Sequence, residues 1–393
     1  MEKKTLKDID FTNKKALIRV DFNVPLDGIK ITDDNRIKES LPTINYVLNN
    51  GGSVILMSHL GRPDGKFIDE LSMRPVASRL KELTGKDIIL ANDVVGEDAK
   101  NKASALRPGE ILLIENLRFD AREEENNEEF ARLLAKLGDV YVNDAFGTAH
   151  RKHASTYGVA KFLPSAVGFL IQKELDIIVG TINNPVRPFV GILGGAKISE
   201  KIMIIDKLLD TCDTLILGGG MSYTFQKAMG YKIGKSLFDE SKLEDVKVML
   251  KKAEEKGVQL LLPEDYVIAK GIFDASSIKF SKDANIEEGY MGVDIGKKTI
   301  DKFVSVIKQA KTIIWNGPVG VFETPEFAVG TYEVAKAVAS IDGTTILGGG
   351  DSGAAVINMG LGDKITHIST GGGASLKLFE GKELPGVEAI QNK

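Results

Sequence analysis

Leu215-Ile216-Leu217-Gly218-Gly219-Gly220 is an apolar run of strand length that ends in clustered glycines. The pattern recurs at Ile192-Leu193-Gly194-Gly195, Ile346-Leu347-Gly348-Gly349-Gly350 and Ile368-Ser369-Thr370-Gly371-Gly372-Gly373. Glycine at a strand exit lets the backbone turn sharply and lets a ligand approach main-chain N–H groups. A helix that follows aims the positive end of its dipole at the same point, which favours phosphate. One such exit is equally well explained as an ordinary tight turn. Four in one half of a chain read as one edge of a parallel sheet, forming a wall suited to a polyphosphate.

Around these exits, strand-length runs at 189–193, 214–217, 259–262, 312–315, 344–347 and 367–369 alternate with helical patterns. The first half keeps the same rhythm, with runs at 16–22, 53–58, 88–90, 111–115 and 140–143. Such alternation predicts parallel sheets covered by helices on both faces. Between the halves, 170–178 is apolar at helical spacing and is stopped by Asn183-Asn184-Pro185. The reading is α/β: two doubly wound parallel-sheet (Rossmann-like) domains, 1–170 and 186–375, joined by an interdomain helix over 171–185. A chain of 393 residues suits two cores better than one.

Composition narrows the partners. A net charge of −4 gives no global basic footprint, which argues against nucleic acid. No run reaches the ~18 apolar residues of a membrane span. The start, Met1-Glu2-Lys3-Lys4, lacks the apolar core of a secretory leader. Cys212, the one cysteine, excludes an internal disulfide and suits a reducing cytoplasm; it reads as structural. The acidic run from Glu123 to Glu129 reads as the exposed start of a helix, a solvated face rather than a metal site.

Ligands of open α/β sheets bind beyond the carboxyl ends of the strands. In the first half those exits carry Arg19-Val20-Asp21-Phe22-Asn23, Ser58-His59-Leu60-Gly61-Arg62, Glu115-Asn116-Leu117-Arg118 and Asn143 through Arg151, with Arg36 after the first strand. Any one of these arginines is more often a surface ion-pair residue. Together, Arg36, Arg62, Arg118 and Arg151 with His59 can converge on a small, highly anionic ligand, because guanidinium forks match carboxylate and phosphate oxygens. Asp21 and Asn23 can engage a ligand hydroxyl.

The second half offers glycines with Lys197, Lys201, Asn316, Glu323 and Asp351. Gly234-Lys235-Ser236 lacks the earlier glycine of a Walker A loop. Gly348-Gly349-Gly350-Asp351-Ser352-Gly353 matches G-x-G-x-x-G, but the acidic residue expected about twenty positions on is missing. Asp351 reads instead as a carboxylate that helps place Mg²⁺, or as a helix N-cap, or both. An anion pocket in one domain and a polyphosphate wall in the other is the layout of a kinase for a small acidic metabolite.

These residues also carry a resemblance. Arg19 through Pro25, Ser58 through Pro63, Glu115 through Phe119, Gly194-Gly195-Ala196-Lys197, Trp315 through Glu323 and Ser369 through Ser375 are similar, in order, to the motifs of the phosphoglycerate kinase family. The resemblance implies reversible phosphoryl transfer from 1,3-bisphosphoglycerate to ADP, giving 3-phosphoglycerate and ATP, in line and on domain closure, in glycolysis and gluconeogenesis. It implies a phosphoglycerate site of Asp21, Asn23, Arg36, His59, Arg62, Arg118 and Arg151. Nucleotide contacts would be Lys197, Lys201, Gly218, Gly219, Gly292, Asn316, Glu323, Gly349, Gly350, Asp351 and Ser352, with Asp351 serving Mg²⁺ on the nucleotide. Arg36 and Lys197 would neutralise the phosphoryl group in flight, beside the Gly371 and Gly372 backbone. A cytoplasmic monomer is implied, with residues from about 376 to 393 returning to the first domain. Two other readings stay open at this point, a nicotinamide-dependent dehydrogenase and a nucleotide sensor without turnover.

Overall fold

The computed structural model describes residues 2–393, and the chain divides into two compact units. One holds the residues up to Asp176 together with Glu383–Lys393; the other is Ile177–Lys382.

In the first unit, β1 (Lys15–Arg19) is followed by a small hairpin, β2 (Leu26–Asp27) and β3 (Lys30–Ile31). Then come α1 (Asn35–Asn49), β4 (Ser53–Met57), α2 (Arg74–Thr84), β5 (Ile88–Leu90), α3 (Glu97–Ala105), β6 (Ile111–Leu113), α4 (Glu128–Ala135), β7 (Val140–Asn143) and β8 (Ser165–Val167). Six of these strands form one parallel sheet in the order β5-β6-β4-β1-β7-β8. The three-residue β8 was not anticipated; its run is too short to carry a periodic signal. Helices cover the sheet with the faces their spacing dictates: α1 buries Ile37, Ser40, Thr43, Ile44 and Val47. That face packs into a core built on Ile18, Leu56, Leu113 and Val142. The strand order reverses between β1 and β7, so the exits of those two strands flank the crevice where such sheets bind ligands.

α5 (Phe169–Asn183) carries the chain from one unit to the next, and the division falls inside it, after Asp176. The second unit runs β9 (Phe189–Leu193), α6 (Ile202–Leu209), β10 (Thr214–Leu217), α7 (Ser222–Ala228), α8 (Leu243–Lys256), β11 (Gln259–Leu261), β12 (Tyr266–Ala269), β13 (Lys279–Phe280), β14 (Met291–Ile295) and α9 (Lys297–Ile307). It continues with β15 (Thr312–Asn316), α10 (Val329–Ser340), β16 (Thr344–Gly348), α11 (Gly350–Asn358), β17 (His367–Ile368) and α12 (Gly373–Phe379). Its parallel sheet has the order β11-β10-β9-β15-β16-β17, with the reversal between β9 and β15. β13-β12-β14 form a separate antiparallel sheet that the sequence reading missed. Fully buried Trp315 anchors the core with Ile192, Ile216 and Leu347.

The chain returns to the first unit at Glu383, later than residue 376, because α12 packs on α6 and the Phe379 ring lies against Gly348. In the first unit the Gly386 N–H donates to Ala149 O at 2.8 Å, and Asn143 Nδ2 donates to Gly386 O at 3.1 Å. A Cβ at Gly386 would lie 2.9 Å from Asn143 Nδ2. This close backbone approach braces the loop that carries Arg151.

Candidate active site

In the first unit β1 ends at Arg19, so Asp21 and Asn23 lie in the loop beyond it rather than in a longer strand. Asp21 Oδ2 accepts from Arg36 Nη1 at 2.6 Å, and Asn23 Oδ1 accepts from the Gly61 N–H at 2.8 Å. Asn23 therefore keeps its amide N–H pair for a ligand. Arg118 is buried, with Nη1 on Gly61 O at 3.1 Å and Nε 3.4 Å from Glu124 Oε1. Asn116 fixes this corner, accepting the N–H groups of Leu60 and Arg118 and donating to the carbonyls of Leu60 and Leu71.

His59 is buried at the centre of the cluster. Burial first, then the charges of Arg19, Arg118, Arg36 and Arg151, hold its pKa well below the ordinary histidine value. Four cations from four different segments thus act on one ring. Arg62 is exposed and makes no ion pair among the described residues, and no contact ties it to the group around His59. Arg151 likewise lacks an acidic partner, and Asp21 and Glu124 only partly balance the set. The surplus is positive.

Behind the cluster is a buried layer that sequence reasoning missed. Arg19 donates from Nε to Ser155 Oγ at 2.8 Å, and Ser155 Oγ donates to Glu123 Oε1 at 2.6 Å. Tyr141 and His153 adjoin it, and burial with the nearby arginines pushes His153 down to about 4. Glu124, Glu125, Glu128 and Glu129 are exposed, as expected of a solvated acidic face, and Glu123 alone departs from it. The helix starts only at Glu128, capped by Asn127, while Glu123 is 1% exposed and faces inward. A charge inside the otherwise apolar Ala16-Leu17-Ile18-Arg19 was the available signal for this layer.

The glycine exits of the second unit differ from one another. The N–H groups of Gly194, Gly195, Gly218 and Gly219 donate to Asn316 O, Pro318 O, Leu193 O and Val319 O. They hold the loops together and do not form a free anion wall, which corrects the expectation for these two clusters. A Cβ at Gly194 would lie 2.0 Å from Pro318 O, so here glycine permits backbone to touch backbone. Gly349 (φ 92°) lies under Asn316 Nδ2, whereas Gly350 and Gly372 face open space. Gly350, Asp351 and Ser352 form the first turn of α11, whose early N–H groups have no intrahelical partner. Asp351 is therefore not the N-cap, a position taken by Gly349.

Asn316 links the exits: Nδ2 donates to Gly348 O at 2.7 Å and Oδ1 accepts from Lys201 Nζ. Burial draws the Lys201 ammonium below its usual range, opposed by the charges of Glu200 and Asp351. Ser352 Oγ accepts the Gly317 N–H at 2.8 Å. Lys197 is 70% exposed, and its one ion pair among the described residues is with Glu200 at 3.7 Å. Beside it opens a cavity of about 720 Å³ lined by Ala196, Gly220, Thr224, Leu237 and Phe238. Glu323 is exposed. Gly292 lies in β14, with Tyr223 Oη where a Cβ would be and its N–H held by Ser236, so packing alone accounts for that glycine. Cys212 is buried, which pushes its thiol up to about 12 and fits a structural role. Among the described residues no helix is long and apolar enough to cross a membrane.

A family model described as phosphoglycerate kinase matches residues 6–382. The phosphoglycerate kinase of Clostridium tetani is 55% identical over 394 residues, covering 100% of this chain and 98% of the relative. The solved phosphoglycerate kinase structure from Coxiella burnetii superposes with a TM-score of 0.90 at 40% identity, covering 98% of each chain. That from Pyrococcus horikoshii OT3 gives 0.79 at 33% identity, covering 99% of this chain and 98% of the other. With nearly its whole length matched by sequence and by fold, the chain belongs to the phosphoglycerate kinase family.

Proposed function

We infer that the chain catalyses reversible phosphoryl transfer from 1,3-bisphosphoglycerate to ADP, giving 3-phosphoglycerate and ATP. Membership of the family makes it a nucleotide-dependent kinase acting on a carboxyl group. The observation that carries the site assignment is the positive surplus around His59, set against a nucleotide-type exit at α11.

In this reading Asp21, Asn23, His59, Arg62, Arg118 and Arg151 grip the phosphoglycerate, and Arg36 faces its reacting end. The acceptor in ATP use is a carboxylate of pKa roughly 3.5, ionised at neutral pH, so no general base is needed. What the chain must supply is charge neutralisation and alignment. Arg36 is held by Asp21 on one nitrogen and keeps its remaining donors for the phosphoryl oxygens. Lys197, loosely paired, is free to follow the group in flight.

Gly349, Gly350, Asp351 and Ser352 receive the nucleotide phosphates at the start of α11, with Lys201 and Asn316 beneath. The cavity beside Gly220 offers Leu237 and Phe238 as apolar walls for a purine, among polar neighbours Thr224, Asp239 and Ser241; Gly218 and Gly219 shape its approach, and Glu323 reaches the ribose. Gly292 joins the set on the family resemblance alone. Gly371 and Gly372 lie by the transfer path. Mg²⁺ arrives on the nucleotide: no cluster of three metal-ligating side chains occurs among the described residues, and a lone Asp351 carboxylate fits an ion that keeps its phosphate oxygens and waters. A monomer working in the cytoplasm completes the reading.

A coupled assay tests it. ATP should form from 1,3-bisphosphoglycerate and ADP only with Mg²⁺ present. NADH binding in its place would support a dehydrogenase, and binding of both ligands without turnover would support a sensor.

A further inference from the structure

Arg19 Nη2 lies 3.1 Å from His59 Nδ1, and a guanidinium has only hydrogens to offer. Nδ1 must therefore be the acceptor, which leaves the ring proton on Nε2. The arrangement is rigid: Arg19 is 1% exposed and held by Ser155 Oγ and Val20 O, while Ser155 is held by Glu123. His59 Nε2 has no partner among the described residues, and the site cations Arg36, Arg118 and Arg151 surround the same ring.

We propose that Arg19 is a positioning residue that fixes His59 as the neutral Nε2–H tautomer, so that His59 donates a hydrogen bond to an acceptor oxygen of the phosphoglycerate and never acts as an acid. A second-nitrogen partner commonly sets which histidine nitrogen carries the proton. The four neighbouring guanidinium groups oppose any further proton on the ring. A neutral donor adds direction to a pocket already rich in charge. The donor role rests on the site reading given above; the tautomer does not.

With four histidines in the chain, ¹⁵N-labelled histidine gives a spectrum simple enough to assign with His59→Gln. In the ligand-free protein, His59 Nδ1 should be the bare nitrogen and Nε2 the protonated one at about pH 6 and about pH 8 alike. Adding 3-phosphoglycerate should move the Nε2 resonance. An Nδ1–H tautomer or an imidazolium in the free protein would overturn the proposal even if the enzyme turns over normally. Binding seen by calorimetry with an unmoved Nε2 would remove the donor role. No binding at all would sink the site reading and the donor role with it, leaving the tautomer decided separately.

Arg19→Met with Glu123→Gln removes the buried charges together and protects the fold. In that variant burial and the three remaining arginines keep the His59 ring neutral, but its proton should no longer be confined to Nε2, and KM for phosphoglycerate should rise about tenfold with a smaller change in kcat. A folded variant whose His59 keeps the single Nε2–H tautomer would show that Arg19 is not the cause.

Discussion

The two units share a doubly wound parallel sheet but build their sites from different material. At the β1 and β7 exits of the first unit, charged side chains gather, and a buried layer of Arg19, Ser155 and Glu123 holds His59 in place. At the β9 and β15 exits of the second, backbone packs on backbone, and the glycines there serve the scaffold. The starts of α11 and α12, at Gly350 and Gly372, instead leave backbone facing open space. A glycine-rich exit is thus not in itself a phosphate site; what distinguishes one is whether its N–H groups are already taken.

The largest effect should fall on the two cations assigned to the transferring group, one in each unit. Arg36→Ala and Lys197→Ala should each lower kcat by roughly 10³ or more, with nucleotide KM nearly unchanged. Steady-state kinetics decides, and near-normal kcat in either variant would remove that residue from the transfer step.

Next comes a pair of glycines within one sheet edge. Gly194→Ala drives a methyl into Pro318 O and should lose at least about 3 kcal/mol in urea unfolding. Gly350→Ala meets no atom within 4 Å, and in a helical turn alanine is favoured by about 0.5–1 kcal/mol. Its stability should hold or rise while KM for ATP increases about tenfold. If Gly350→Ala bound nucleotide normally, the division between scaffold and ligand glycines would be wrong.

Both sheets were legible because their strands are continuous apolar runs and their exits carry glycine or charge. Short β8 and the antiparallel β12-β13-β14 sheet lacked such a period. Among site residues, Asp21, Arg36, His59 and Arg118 stand at strand exits or helix starts, where a charge needs a reason. Glu123 looked like its acidic neighbours because local sequence does not show that a turn folds one carboxylate inward toward Arg19. The lining residues Leu237 and Phe238 lie far from any glycine cluster in sequence and reach Lys197 only through the fold.

The buried layer of the first unit should be a matter of stability as well as chemistry. Glu123→Ala leaves the Arg19 guanidinium buried without its Ser155-bridged counter-charge, for a loss of about 3 kcal/mol. Denaturant unfolding measures it. A loss under about 1 kcal/mol, as for a surface acid, would restore the solvated reading of the acidic run.

The smallest effect tests what the units have in common. Each buries one aspartate against the first turn of a helix: Asp144 accepts the Leu170 N–H of α5 at 2.9 Å, and Asp294 accepts the Gly330 N–H of α10 at 2.7 Å. Burial raises both from an ordinary 3.8 to about 7. Between those values the folded chain holds protons that the unfolded chain has released. Their contribution to stability is therefore complete below about pH 4 and declines as pH rises toward and through about 7. Asp144→Asn keeps an acceptor for Leu170 but removes one titration, so its unfolding free energy should fall less steeply between about pH 5 and pH 8 than that of the parent. Equal slopes would mean that Asp144 is ionised throughout, held by the helix N-terminus more strongly than burial opposes it.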